Sequence, residues 1–202
     1  MDRLLNLFLI SLFIFGCSNK KKVSQNDVSN STFIDSTNFK YFGLEEFNID
    51  KWYEGKVKLK SLTKKQAEKY YQYRLRNSLA DTNYYQFYSI QKNTSQQKII
   101  TILDGATGRY PDLRMLIYDR KDSLIGFYPV AGIGNDPDLN LKYKVVSKKI
   151  NDTTYLSTRI DEYGVESDLK NIQRDSTVTK FELELGYMKE AKVLDKKTYK
   201  LE

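Results

Sequence analysis

The chain is 202 residues long, with 33 Lys and Arg against 26 Asp and Glu, a formal net charge of +7, no histidine and a single cysteine. With 40% hydrophobic and 13% aromatic residues it has the apolar content of a globular domain, which separates it from disordered chains. The lack of histidine excludes both common nucleophile triads, and a lone cysteine excludes an internal disulfide.

The chain opens with Arg3 and a mainly apolar run over residues 4–15, followed by Gly16 and Cys17. A helix of that length rises about 18 Å against a hydrocarbon core of about 30 Å, so the run is too short to span a bilayer and reads as an export signal. Gly16 supplies the small residue that a peptidase cleft requires before the cut. The ending Ile14-Phe15-Gly16-Cys17 resembles the signal peptide of bacterial lipoproteins. That resemblance implies cleavage before Cys17, a diacylglyceryl group on its sulfur, and membrane attachment through the acyl chains. It divides the chain into a signal peptide over residues 1–16, a lipidated tether over 17–38 and one β-rich domain over 39–202. Loss of the signal removes one base, Arg3, and one acid, Asp2, and so leaves the net charge unchanged. The remaining chain, about 185 residues, suits one domain of ordinary size. A basic exported domain suits an anionic membrane face, and export takes nucleic acid out of its expected partners.

Residues 18–38 are rich in Ser, Asn, Lys, Thr and Asp, with Val23, Val28, Phe33 and Ile34 scattered among them, and read as a flexible spacer. Lys20, Lys21 and Lys22 have two readings: contact with anionic headgroups at about 1 kcal/mol each, or simple solubility of the tether. Residues 41–59 are expected to hold one or two short strands, the clearer at 55–59. Thr63 and Gln66 then have the spacing of a capping box, and Ala67, Tyr70, Tyr71, Leu75 and Leu79 form one stripe, which predicts an amphipathic helix over 64–79. Its tyrosines read as core packing.

From residue 84 the pattern changes to short alternating segments separated by turns. Strands are expected over 84–92, 98–103, 113–118, 124–130, 141–145, 153–160, 177–185 and 191–201. Asn151-Asp152 is predicted to form a two-residue type I′ hairpin turn, since both residues tolerate positive φ. Lys192, Lys196, Lys197 and Lys200 mark the last segment as a protected edge. The expected fold is therefore mainly β or α+β: a curved antiparallel β-meander, a half-barrel-like sheet of about seven to nine strands, with one amphipathic helix packed on it. The order of elements resembles small β-meander lipoproteins of the bacterial envelope, which implies a non-catalytic role.

Few residues suggest chemistry. Asp136-Pro137-Asp138 echoes the start of a calcium loop, but Leu141 stands where the loop needs glycine and Ser147 where it needs glutamate. Gly132-Ile133-Gly134 follows a strand but lacks the third glycine and the helix of a dinucleotide site, and reads as a flexible hairpin loop. Asp104, Asp112 and Asp119 flank neighbouring strands, either as paired carboxylates for glycoside cleavage or as turn formers. Neither a metal nor a cofactor is expected, and no catalytic residue is assigned.

Recognition is expected instead on loops 104–112 and 132–139, with Arg109, Tyr110, Asp136 and Asp138 as the binding residues; Cys17 is a separate site, of lipidation. An acidic stretch, residues 161–175, is read as a solvated loop or as a guide for a basic partner. The leading expectation is a membrane-anchored binding or structural module of the cell envelope, on the outer membrane and facing the periplasm or the exterior. Two alternatives stand beside it. One is an immunity protein against a periplasm-acting toxin. The other is a carrier whose hydrophobic cavity would be lined by Ile100, Ile102, Met115, Ile117 and Phe127.

Overall fold

The computed structural model describes residues 33–75, 83–91, 96–137, 140–164, 172–184 and 187–201. Cys17 and Asp138 therefore lie outside the described residues, as do Leu79, Leu185 and the middle of the acidic stretch. The elements are strands β1 (Tyr41–Phe42) and β2 (Glu46–Phe47), helices α1 (Asp50–Tyr53) and α2 (Lys64–Tyr71), then β3 (Tyr85–Ile90), β4 (Lys98–Asp104), β5 (Asp112–Tyr118) and β6 (Leu124–Asp136). They continue as β7 (Leu141–Lys149), β8 (Thr154–Gly164), β9 (Ile172–Glu184) and β10 (Tyr187–Leu201).

All ten strands belong to one open, mainly antiparallel sheet in the order β1-β3-β4-β5-β6-β7-β8-β9-β10, with β2 paired to β7. Only β1 runs parallel to its neighbour, β3. This is the expected meander, and the two ends of the sheet do not meet to close a barrel. β6 is the hinge of the layout. Its residues from Leu124 to Gly132 pair with β5, and those from Gly132 to Asp136 pair with β7. Two register shifts interrupt its pairing with β5, the kind of irregularity that bends a sheet.

Alternation along the central strands produces two cores. On β5, Leu116 and Tyr118 point to one side, where Tyr70 and Tyr71 of α2 cover them together with Phe87, Ile100 and Ile102. Leu113, Met115 and Ile117 point to the other side and pack with Phe47, Ile49, Tyr88 and Tyr155. Tyr118 donates its hydroxyl to the Tyr70 carbonyl at 2.7 Å, which fixes α2 on the sheet.

The capping box forms as expected: Thr63 Oγ1 accepts from the Gln66 amide at 3.3 Å, and the Gln66 side chain accepts from the Thr63 amide at 2.9 Å. The helix is shorter than the stripe predicted. It stops at Tyr71 because Gln72 takes a φ of +49°, and its side-chain amide bonds the Leu124 amide and the Asp122 carbonyl in the β5–β6 turn.

Other expectations also change. Residues 55–59 form no strand. They follow α1 through Gly55 at a φ of +71°, and the chain then pairs with β3 through an isolated bridge of Ser61 to Gln86, flanked by backbone bonds from Phe87 to Lys60 and from Leu62 to Tyr85. Residues 33–38, expected in the tether, pack on the domain instead, the Phe33 ring meeting Tyr118 edge-on at 4.9 Å. The expected type I′ turn is absent, since neither Asn151 nor Asp152 has positive φ. Instead Asn151 Oδ1 accepts from the Thr153 and Thr154 amides at 2.9 and 2.8 Å, an Asx turn within a longer loop. The loop expected over 132–139 is largely strand, because β6 runs on to Asp136. No helix among the described residues is long and apolar enough to cross a membrane.

Candidate functional site

The register of the sheet lines up one row of directly opposed residues across seven strands: Asp104, Asp112, Gly132, Val145, Arg159, Thr177 and Lys196. A second row, two residues away, joins Gly134, Tyr143, Asp161, Asp175 and Thr198. Opposed residues in antiparallel strands share a face, so these rows bring charged and aromatic side chains together where β6 passes from one neighbour to the other.

Tyr143 is the centre of this cluster. Its ring stacks on Tyr110 at 6.1 Å and 10°, and it lies against Gly134, where a Cβ would come within 2.0 Å of Tyr143 Cε1. Its hydroxyl donates to Asp112 Oδ1 at 3.4 Å, and the Arg159 guanidinium sits 5.0 Å from its centroid. Burial, reinforced by the neighbouring Asp112 carboxylate, pushes the Tyr143 phenol up to about 12. Gly132 and Gly134 are therefore strand glycines that make room for rings and for the Asp112 carboxylate, not members of a flexible loop.

Three of the residues selected from sequence meet here. Tyr110 donates its hydroxyl to Asp136, and Arg109 Nη1 lies 3.9 Å from the same carboxylate. Arg109 is mostly exposed and Asp136 is buried, so the pair presents a cation at the rim held by an acid beneath it. The carboxylate of Asp136 is engaged by protein, which is at odds with a calcium loop, and no group of potential metal ligands is found among the described residues.

On the other side of Tyr143, Arg114 Nη2 bonds Asp112 at 2.7 Å. Arg114 Nε lies 3.9 Å from Asp104 and is buried without a hydrogen-bond partner. Burial raises the Asp112 carboxyl above the ordinary range, with Arg114 opposing that shift. Asp104 and Asp112 thus converge, as one sequence reading proposed, but on a shared arginine. Asp119 does not join them: it sits at the far end of β5 and caps a turn through the Lys121 and Ser123 amides at 2.8 and 2.9 Å.

Between these groups opens a depression of about 370 Å³ lined by Arg114, Tyr143, Arg159, Thr177, Thr179 and Phe181, among others. Sequence reading missed Tyr143, Arg114 and Arg159. The one available signal was the turn at Asn151, whose hairpin register brings Arg159 opposite Val145 and so beside Tyr143. The acidic stretch is partly strand: Asp161 holds Arg159 at 2.7 Å, Glu162 holds Arg174 at 2.5 Å, and Asp175 accepts from Thr198 at 2.7 Å, so these acids brace the sheet. The five residues proposed to line a carrier cavity do not share one. Ile100 and Ile102 sit in the core beneath α2, while Met115 and Ile117 sit in the core on the opposite face. No known family model, curated protein or solved structure matches this chain.

Proposed function

We propose that this chain is a lipid-anchored protein of the bacterial cell envelope that works by binding, with the Arg109–Tyr110 rim and the depression around Tyr143 as its contact surface. The anchor rests on the apolar run that ends at Gly16 and Cys17. Recognition rests on one observation: side chains from the β4–β5 loop, β5 and β8 converge on Tyr143 of β7, which lies over Gly134 of β6. An aromatic and arginine rim around a partly desolvated pocket is the composition of a protein contact hot spot. The bonds to Asp136, Asp112 and Asp161 preorganise the cations, so little side-chain entropy remains to be lost on docking.

Two measurements test the two halves. Cells fed an alkyne fatty acid should label the chain, and Cys17→Ser should abolish the label and release the protein from the membrane fraction. Persistent membrane attachment without Cys17 would remove the anchor. Affinity capture from envelope extract should recover a partner that Arg109→Glu loses. Recovery of the same protein at the same yield by that variant would overturn the assigned surface.

A further inference from the structure

A second cavity, of about 470 Å³, lies between α1 and the β6–β9 part of the sheet; Gly134 and Tyr143 border it as well as the surface proposed above, and its other lining residues belong to it alone. Two neighbouring register rows supply much of its lining. Ile133 stands opposite Lys144, which stands opposite Ile160; two residues along, Lys142 stands opposite Glu162, which stands opposite Arg174. Tyr53, the last residue of α1, completes the apolar part and is 51% exposed. Ile160 belongs to neither core cluster, so its apolar surface is turned to the cavity rather than absorbed by packing.

The charges divide unevenly. Glu162 is engaged by Arg174 at 2.5 Å, and Lys144 reaches Asp50 of α1 at 2.5 Å. Lys142 is exposed and enters no ion pair among the described residues. The lining thus holds three cations against one acid, beside an apolar floor and an aromatic wall. A volume of several hundred Å³, apolar lining and a few placed charges are the features of a small-molecule site. A cationic ligand would meet like charge here, and a small inorganic anion would leave Ile133, Ile160 and Tyr53 wet.

We propose that this cavity binds a small anionic amphiphile, with its apolar body on Ile133 and Ile160 beside Tyr53 and its acidic head at Lys142. The site adjoins the proposed contact surface at Gly134 and Tyr143, but neither Arg109 nor Tyr110 lines it.

The test is titration calorimetry on the full chain in neutral phosphatidylcholine vesicles, with empty vesicles subtracted. The probes are 2-naphthalenesulfonate, its trimethylammonium counterpart with the same ring body, and methanesulfonate. Naphthalenesulfonate should bind at least tenfold more tightly than the cation, and methanesulfonate should give no saturable heat. Lys142→Glu should weaken naphthalenesulfonate at least tenfold, with Lys142→Gln between it and the parent; Lys192→Glu, on the distant β10, should leave it unchanged. Equal affinity for cation and anion, absence of binding, or insensitivity to both Lys142 variants would overturn the proposal. Arg109→Glu separates this site from the contact surface, since it should keep probe affinity while losing the envelope partner.

Discussion

Gly134 carries two tyrosine rings on a single missing side chain. A Cβ there would lie 2.0 Å from Tyr143 Cε1 and 2.7 Å from Tyr110 Cδ1, distances that require both rings to move. Gly134→Ala is therefore expected to cost about 1–3 kcal/mol, as overpacking does, and to disturb the near-ultraviolet dichroism of the tyrosines. Urea unfolding of parent and variant measures the first, and an unchanged midpoint would refute the argument. At this scale the sequence was partly legible. Arg109, Tyr110 and Asp136 attract notice as a cation, an aromatic and an acid near turns, and the fold does bring them together. Tyr143 did not stand out, because in an alternating segment such as residues 141–145 its ring reads as one more inward-facing apolar group. Its importance comes from two glycines on the adjacent strand, which are adjacent only after pairing.

Among elements, α2 shows how far local signals reach. Its start is written in the chain, since Thr63 and Gln66 satisfy each other's backbone amides without help from elsewhere. Thr63→Ala should cost about 1 kcal/mol, the usual value of a helix cap, and lower the thermal midpoint measured by far-ultraviolet dichroism. A variant as stable as the parent would show that tertiary contacts alone hold the helix start. Its end is not written in the chain. Leu75 continues the apolar stripe, yet the helix gives way at Gln72 because that side chain bonds the turn between β5 and β6, some fifty residues later. β6 fails in the opposite sense. Gly132, Gly134 and Pro137 suggest a loop, but pairing with β7 and the tyrosine rings over the glycines extend the strand to Asp136.

For the molecule as a whole, an open meander leaves an edge, and β10 presents a 15-residue one. Lys192, Lys196, Lys197 and Lys200 are exposed along it, next to exposed Val193, Leu194 and Tyr199. Charged edges discourage pairing with other chains. Replacing these four lysines together by threonine should produce concentration-dependent association in sedimentation velocity under conditions where the parent stays a single species. Two shifts in the β9–β10 register add to this protection by making the edge irregular.

The strand-rich class of this protein follows from its residues alone: period-two alternation demands strands, and a capping box starts a helix. These signals are local, so the chain carries them wherever it goes. Only the tertiary structure decided that β6 serves two neighbours, that Phe33 packs against the core, and that Arg114, Tyr143 and Arg159 share a site. The physical reason is register: which residues face each other across a sheet depends on bulges and turn geometry, and a shift of one position turns each side chain to the other face.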